Sequence, residues 1–246
     1  MYSDKLVKYY DDLYNKKDYA NESQFIESNS NITNLLDIGC GTGKHIESLY
    51  KKGRTVHGID LSGDMIDIAK SKFNDDVLLT KCNVTSYKSD IKFDTIISMF
   101  NVVNHNENLN DLCSYFKSIS NLLADSGVFI FDCFNGSSVF KDYPKDFTRT
   151  IYSNAYGGKY VSKCISKFNP MNSYLNMNNN VQVYHYDDLV DEFNYNIDAT
   201  IWTPKLLKDL IEKYEIKVTK IVSNSDYDRE ATVDDYKITF VCVKYN

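Results

Sequence analysis

No stretch of this 246-residue chain approaches the ~20 consecutive apolar residues that a membrane-spanning helix needs, so no membrane role is expected. The opening residues, Met1-Tyr2-Ser3-Asp4-Lys5, lack the apolar core of a secretory leader. The six cysteines (Cys40, Cys82, Cys113, Cys133, Cys164 and Cys242) are scattered and form no Cys-x-x-Cys pair. That spacing argues against a zinc site or a disulfide framework, so no metal ligands are nominated, and it suits reduced thiols in a cytoplasm. Basic residues are outnumbered, 28 Lys and Arg against 34 Asp and Glu, and they do not cluster. A chain of net charge −6 has no general attraction for phosphate backbones, which argues against nucleic acid as a partner. Repeats and low-complexity linkers are absent too. The Asn-x-Ser/Thr triplets at Asn31, Asn83 and Asn135 read as chance in an Asn-rich sequence.

What is present is a chain that is 43% hydrophobic, enough to pack a core, with one distinctive stretch. Leu35-Leu36-Asp37-Ile38 runs into Gly39-Cys40-Gly41-Thr42-Gly43, with glycine at every second position. This reads as a buried parallel strand ending in a loop that passes very close to a ligand. Ile46, Leu49 and Tyr50 then fall at helical intervals. Strand, glycine loop and helix make the front half of a nucleotide-binding βαβ unit.

Taken in order, residues 3–14 and a segment after Asn21 read as helices. Strands follow at 33–38, 54–60, 77–80, 93–98 and 127–132, interleaved with helices after the glycine loop, after Ser62 as N-cap, and near 107–123. The alternation stops after residue 134. Short alternating runs at 147–151, 159–165 and 181–185 predict an antiparallel inserted sheet. Thr203 and Pro204 open a last helix to 213, and strands near 216–223 and 236–244 close the chain. The expected class is α/β: a doubly wound, seven-stranded Rossmann-like sheet with its last strand antiparallel, plus an inserted antiparallel β-sheet lid. The expected domains are a core of residues 1–134 with 203–246 and a lid of 135–202.

Spacing separates the candidate cofactors. A P-loop needs Gly, four residues, then Gly-Lys-Ser/Thr, but here His45 follows Gly43-Lys44 and Ile38 stands where the first glycine belongs. A dinucleotide fingerprint needs Gly-x-Gly-x-x-Gly, and here Lys44 holds its third glycine position. The pattern Asp37-Ile38-Gly39-Cys40-Gly41-Thr42-Gly43, followed by Gly58-Ile59-Asp60-Leu61-Ser62 with Met65-Ile66 and Ala69, resembles the class I S-adenosylmethionine-dependent methyltransferases over residues 35–132. The resemblance implies S-adenosyl-L-methionine as cofactor, with S-adenosyl-L-homocysteine as product. It places Gly39, Cys40, Gly41 and Gly43 against the methionyl and ribose parts, with Asp37 at the loop base. Asp60 would accept from the ribose hydroxyls. Leu61, Met65, Asn83 and Val84 would border adenine. Ser98 and Met99 would hold the ammonium end through backbone carbonyl. Cys40 has no implied redox role.

A narrower resemblance lies in the flanks. Tyr10-Asp11-Asp12-Leu13-Tyr14, Lys17 to Glu22, and Ile97-Ser98-Met99-Phe100-Asn101-Val102-Val103-Asn104-His105 are similar to the N-methyltransferases that dimethylate nucleotide-linked deoxyaminosugars. That family's pattern maps catalytic roles onto Tyr2 and His105, and places Tyr10 and Tyr19 at the cofactor's methionine end. It implies a small-molecule acceptor, most simply the amine of a dTDP-linked aminosugar. The paired tryptophans of that family are replaced here by Cys133-Phe134-Asn135. His185, Tyr184 and Tyr186 are further candidates to line an acceptor pocket. His45 reads as structural, and Trp202 as packing. Competing readings are a methyltransferase for another O- or N-acceptor, a nicotinamide-dependent oxidoreductase, and a module that binds cofactor without turnover. The Pro-Pro and Pro-Cys motifs of nucleic-acid methylation after strand four are absent. A homodimer stays open.

Overall fold

The computed structural model describes residues 4–73, 75–153 and 158–245. In chain order the elements begin with α1 (Asp4–Leu13), α2 (Tyr19–Asn29), β1 (Asn34–Ile38), α3 (Lys44–Leu49), β2 (Thr55–Asp60), α4 (Gly63–Lys72), β3 (Val77–Lys81) and β4 (Phe93–Ser98). There follow a 3-10 turn (Val102–His105), α5 (Leu109–Leu122), β5 (Leu123–Phe134) and α6 (Gly136–Lys141). Next come β6 (Phe147–Tyr152), β7 (Gly158–Asn169), β8 (Tyr174–His185) and β9 (Asp188–Thr200). The chain ends with α7 (Pro204–Ile211), a second 3-10 turn (Glu212–Tyr214), β10 (Ile216–Ser223), β11 (Asp226–Glu230) and β12 (Lys237–Lys244).

Contacts divide the chain into two compact units, Met1–Asp18 with Asp142–Ala199, and Tyr19–Lys141 with Thr200–Asn246. The larger holds a sheet ordered β11-β10-β12-β5-β4-β1-β2-β3. Strands β1 to β5 pair in parallel, and β12 inserts antiparallel between β5 and β10. The doubly wound α/β plan with its closing antiparallel strand is thus the one expected. The sheet has eight strands where seven were expected, because β11 adds an antiparallel edge to β10. Its sequence, Asp-Tyr-Asp-Arg-Glu, is short and largely exposed, so backbone pairing and not apolar alternation defines it.

Buried runs make the parallel strands, since helices cover both of their faces. One face packs Leu36, Phe93, Phe129, Phe131 and Phe240 against α5 and α7 residues such as Phe116 and Leu207. The other packs Leu35, Ile97 and Ile130 with Ile26, Ile46 and Ile66 from α2, α3 and α4. Capping sets the helix starts. Ser62 Oγ accepts from Met65 N, Thr203 Oγ1 accepts from Leu206 N with Pro204 following, and Asn108 Oδ1 accepts from Asn110 N and Asp111 N.

The smaller unit is a four-stranded sheet, β6-β7-β8-β9, with α1 on it. Three antiparallel runs were expected, and β9 is the fourth strand. The N-terminal helices were assigned to the core, but they part company. Leu6 and Leu13 of α1 pack with Ile151, Tyr160, Val181, Val183 and Phe193, while Phe25 and Ile26 of α2 join the larger sheet. Lys5 and Tyr9 both reach Asp191, and Tyr160 donates to Asp12 Oδ2 at 2.7 Å. No helix among the described residues is long and apolar enough to cross a membrane.

Candidate active site

The chain leaves β1 toward β2 and β3 on one side, and β4 and β5 lie on the other. The loops after β1 and β4 therefore diverge, and a crevice opens at the carboxyl ends of these strands. Gly39, Gly41 and Gly43 have φ of +74°, +53° and +83°. At Gly39 a Cβ would stand 2.4 Å from Val102 Cγ2, so glycine lets the loops after β1 and β4 touch. At Gly41 a Cβ would meet nothing within 4 Å. There the missing side chain serves the space in front of the loop.

Backbone bonds fasten this loop to β2. Gly39 N and Cys40 N both donate to Ile59 O at 2.8 and 3.0 Å. Gly41 N donates to Asp60 Oδ2 at 2.9 Å and Ser62 N to Asp60 Oδ1 at 2.8 Å. Each oxygen of Asp60 thus holds one amide and keeps acceptor capacity for a diol. Burial pushes the Asp60 carboxyl above its ordinary range, against the pull of the Ser62 and Gly41 amides and of His105. Cys40 is buried with its thiol raised well above the usual range, chiefly by burial, which makes it inert.

Asp37, at the end of β1, is 1% exposed, and its Oδ2 meets no hydrogen-bond partner among the described residues. Burial raises its carboxyl to about 6; the nearby His45 opposes the shift and the charge of Asp60 adds to it. His45 itself is structural, as expected: its Nε2 lies 2.7 Å from Glu22 Oε2 and its ring meets Tyr19 edge-on at 5.0 Å.

The exit of β4 forms the opposite wall. Ser98 and Met99 are buried, and Ser98 Oγ accepts from Tyr115 at 2.6 Å while donating to Ile38 O at 3.3 Å. Phe100 and Asn101 are both left-handed, at φ +70° and +62°. Two successive non-glycine residues in this region are costly, and such strain concentrates at functional sites. Asn101 N donates to Asp132 Oδ1 at 2.6 Å. The turn that follows ends in exposed His105. Of these residues Asp132, two before the end of β5, was not nominated from the sequence.

On the other flank of the glycine loop, Met65 is wholly buried on α4 and Leu61 stands 63% exposed beside Asp60. Val84 is buried and Asn83 exposed. Asn83 Oδ1 accepts from both Thr85 N and Thr85 Oγ1 at 3.0 Å, which closes an Asx turn. The side-chain oxygen expected to receive an adenine amino group is thus engaged locally. Tyr10 belongs to the smaller unit, where its ring packs on Tyr14 at 4.8 Å. Tyr2 lies outside the described residues. His185 and Tyr186 are exposed at the end of β8, and Trp202 is buried in the core of the larger unit. No group of three or more His, Cys, Asp or Glu suited to a metal occurs among the described residues.

The site thus offers a carboxylate poised for a diol, open space before Gly41, and a buried unpartnered carboxylate oxygen at the loop base. These fit the ribose and amino-acid ends of S-adenosylmethionine. Residues 35–127 match the family described as methyltransferase domain. The chain is 35% identical over 136 residues to an uncharacterised protein of Methanocaldococcus jannaschii, covering 54% of this chain and 51% of that one. It is 29% identical over 119 residues to a dTDP-3-amino-3,4,6-trideoxy-alpha-D-glucopyranose N,N-dimethyltransferase of Streptomyces venezuelae, covering 46% and 50%. The chain spans about half the length of the curated relatives it matches. In fold it is similar to an S-adenosylmethionine-dependent methyltransferase from Clostridium acetobutylicum, with TM-score 0.82, 22% identity and 98% of each chain covered. Residues 35–127 of this chain are therefore a methyltransferase domain, set in the class I S-adenosylmethionine-dependent methyltransferase fold.

Proposed function

We propose that this protein transfers a methyl group from S-adenosylmethionine to the amine of a small molecule, a nucleotide-linked (dTDP) aminosugar. The observation that carries the first half is the Asp60 carboxylate, aimed by Gly41 and Ser62 beside a glycine loop with open space before it. The second half is supported by the aminosugar-like flanks and by the name of the Streptomyces relative. When bound, the cofactor supplies an electrophilic methyl carbon that passes to the amine nitrogen while its sulfur keeps the electron pair of the broken bond. Asp60 would hold the ribose, and the loop from Gly39 to Gly43 with Cys40 would line the methionyl part. Asp37, Ser98, Met99 and Tyr19 would serve the amino-acid end. Leu61, Met65, Asn83 and Val84 would border the adenine. His105 would take the proton that the amine must lose, and Tyr2 would orient the acceptor.

Calorimetry with S-adenosylmethionine tests the cofactor half, and no heat at millimolar cofactor would reject it. Mass spectrometry of a panel of dTDP-aminosugars tests the acceptor half. The expected result is the mass gain of one or two methyl groups on the amine, and methylation of none of the panel rejects the acceptor.

A further inference from the structure

The chain has three arginines, and two of them have carboxylate partners: Arg54 lies 2.8 Å from Glu27, and Arg229 lies 2.5 Å from Asp235. Arg149, on β6 of the smaller unit, makes no ion pair among the described residues. Its Nε is buried without a hydrogen-bond partner among the described residues, and its guanidinium carbon lies 5.4 Å from the centroid of the Tyr14 ring.

Directly across the sheet stands a second orphan. Arg149 pairs in register with Ser162 of β7, which puts both side chains on one face. Ser162 is 0% exposed and its Oγ meets no partner among the described residues. Tyr195 of β9 is buried nearby, with its hydroxyl 3.3 Å from that of Tyr14. A half-buried guanidinium and a buried hydroxyl, both unmatched, are costly as packing alone. The chain carries more acids than bases, yet none of its described carboxylates pairs with this position. A guanidinium backed by an aromatic ring presents its planar fork to a phosphate in fixed orientation.

We propose that Arg149 and Ser162, with the Tyr14–Tyr195 hydroxyl pair, form an anion subsite on the smaller unit that takes the diphosphate of a nucleotide. The assignment rests on the nucleotide-linked acceptor proposed above.

Calorimetry of the full chain with dTDP, thymidine and S-adenosylmethionine tests it. Wild type should bind dTDP more tightly than thymidine. Arg149→Met should bind dTDP about 30-fold more weakly, the loss of charge-assisted hydrogen bonds, with thymidine and S-adenosylmethionine affinities unchanged. Ser162→Ala should weaken dTDP about fivefold without lowering the melting temperature of the free protein, since it removes an orphan hydroxyl. It serves as the test if Arg149→Met does not fold. Equal dTDP affinity in wild type and variants overturns the subsite and leaves the acceptor class standing. Failure of wild type to bind dTDP while it binds S-adenosylmethionine overturns both.

Discussion

At the scale of single residues, the site trades stability for a charge. Asp37 has a folded-state carboxyl at about 6, above the ordinary 3.8, so the folded state holds its proton more tightly than the unfolded chain does. The contribution of Asp37 to stability is therefore greatest below the ordinary carboxylate range and falls as pH rises toward 6, by roughly 3 kcal/mol in all. Asp37→Asn should match wild type near pH 4 in urea denaturation and exceed it at pH 7, while calorimetry shows weaker S-adenosylmethionine binding. A variant no more stable at pH 7 than at pH 4, relative to wild type, would contradict this. The glycines divide similarly. Gly39→Ala must push Val102 aside and should lower stability by ~2 kcal/mol or more. Gly41→Ala meets no atom, so its cost should stay near the ~1–2 kcal/mol of the left-handed backbone while cofactor affinity drops far more than stability. His105→Asn should reduce kcat by about 100-fold at pH 7 with cofactor affinity unchanged, and recover at alkaline pH where the free amine is already neutral. A uniform loss across pH would assign His105 to positioning. The left-handed turns at Gly39, Gly41 and Gly43 were legible because glycine is the residue that takes positive φ without strain. The Asx turn at Asn83 was not legible, because an amide oxygen serves a turn and a base equally well and sequence spacing does not distinguish the two.

Among elements, burial and alternation made most of the larger sheet readable, and the failures have definite causes. Strand β9 alternates Phe193, Tyr195, Ile197 and Ala199, but Asp, Glu and Asn fill the positions between and depress its strand signal. Those polar residues have cross-strand partners: Asn178 donates to Asn196 and Asn180 to Asn194, so the outer face is a polar ladder. The exit of β4 has a comparable tie. Asn104 is 1% exposed; its Nδ2 donates to Thr200 O at 2.8 Å and its Oδ1 accepts from Phe134 N at 3.1 Å. One side chain thereby joins the turn before His105 to the end of β5 and to the point where the chain returns from β9. Asn104→Ala would leave a buried N–H and a buried C=O unmet, at a cost of roughly 2–4 kcal/mol. Urea denaturation should show that loss, and kcat should fall as the turn carrying His105 loosens. Asn104→Asp keeps the acceptor but loses the donor, so it should retain part of the stability at acid pH, where the carboxylic acid can donate. Unchanged stability in the alanine variant would mean that water replaces the side chain.

For the whole molecule, the apolar face of α1 was legible but its partner was not, because a pattern of Leu6, Tyr9, Tyr10 and Leu13 states that a face is covered and not by what. The contacts place that helix on the inserted sheet, so the smaller unit is assembled from the first residues of the chain and a segment more than a hundred residues later. Its core rests on α1: Leu6 is 1% exposed among Ile151, Tyr160, Val181, Val183 and Phe193, and Tyr9 stacks on Phe193 at 5.6 Å. The larger unit contains both of its own cores and the glycine loop, Asp37, Asp60 and His105. Two units, each with its own core packing, allow two cooperative openings. Leu6→Ala should create a cavity costing roughly 2–5 kcal/mol in the smaller unit. Hydrogen exchange should then quicken in β6 to β9, with the amides of β1, β4 and β5 retaining their protection. Cofactor affinity should persist, because the residues assigned to ribose and adenine lie in the larger unit, while methylation of the acceptor should fall with the population of the intact smaller unit. Equal loss of protection in both sheets would show one cooperative unit, in which the inserted sheet opens only when the methyltransferase core does.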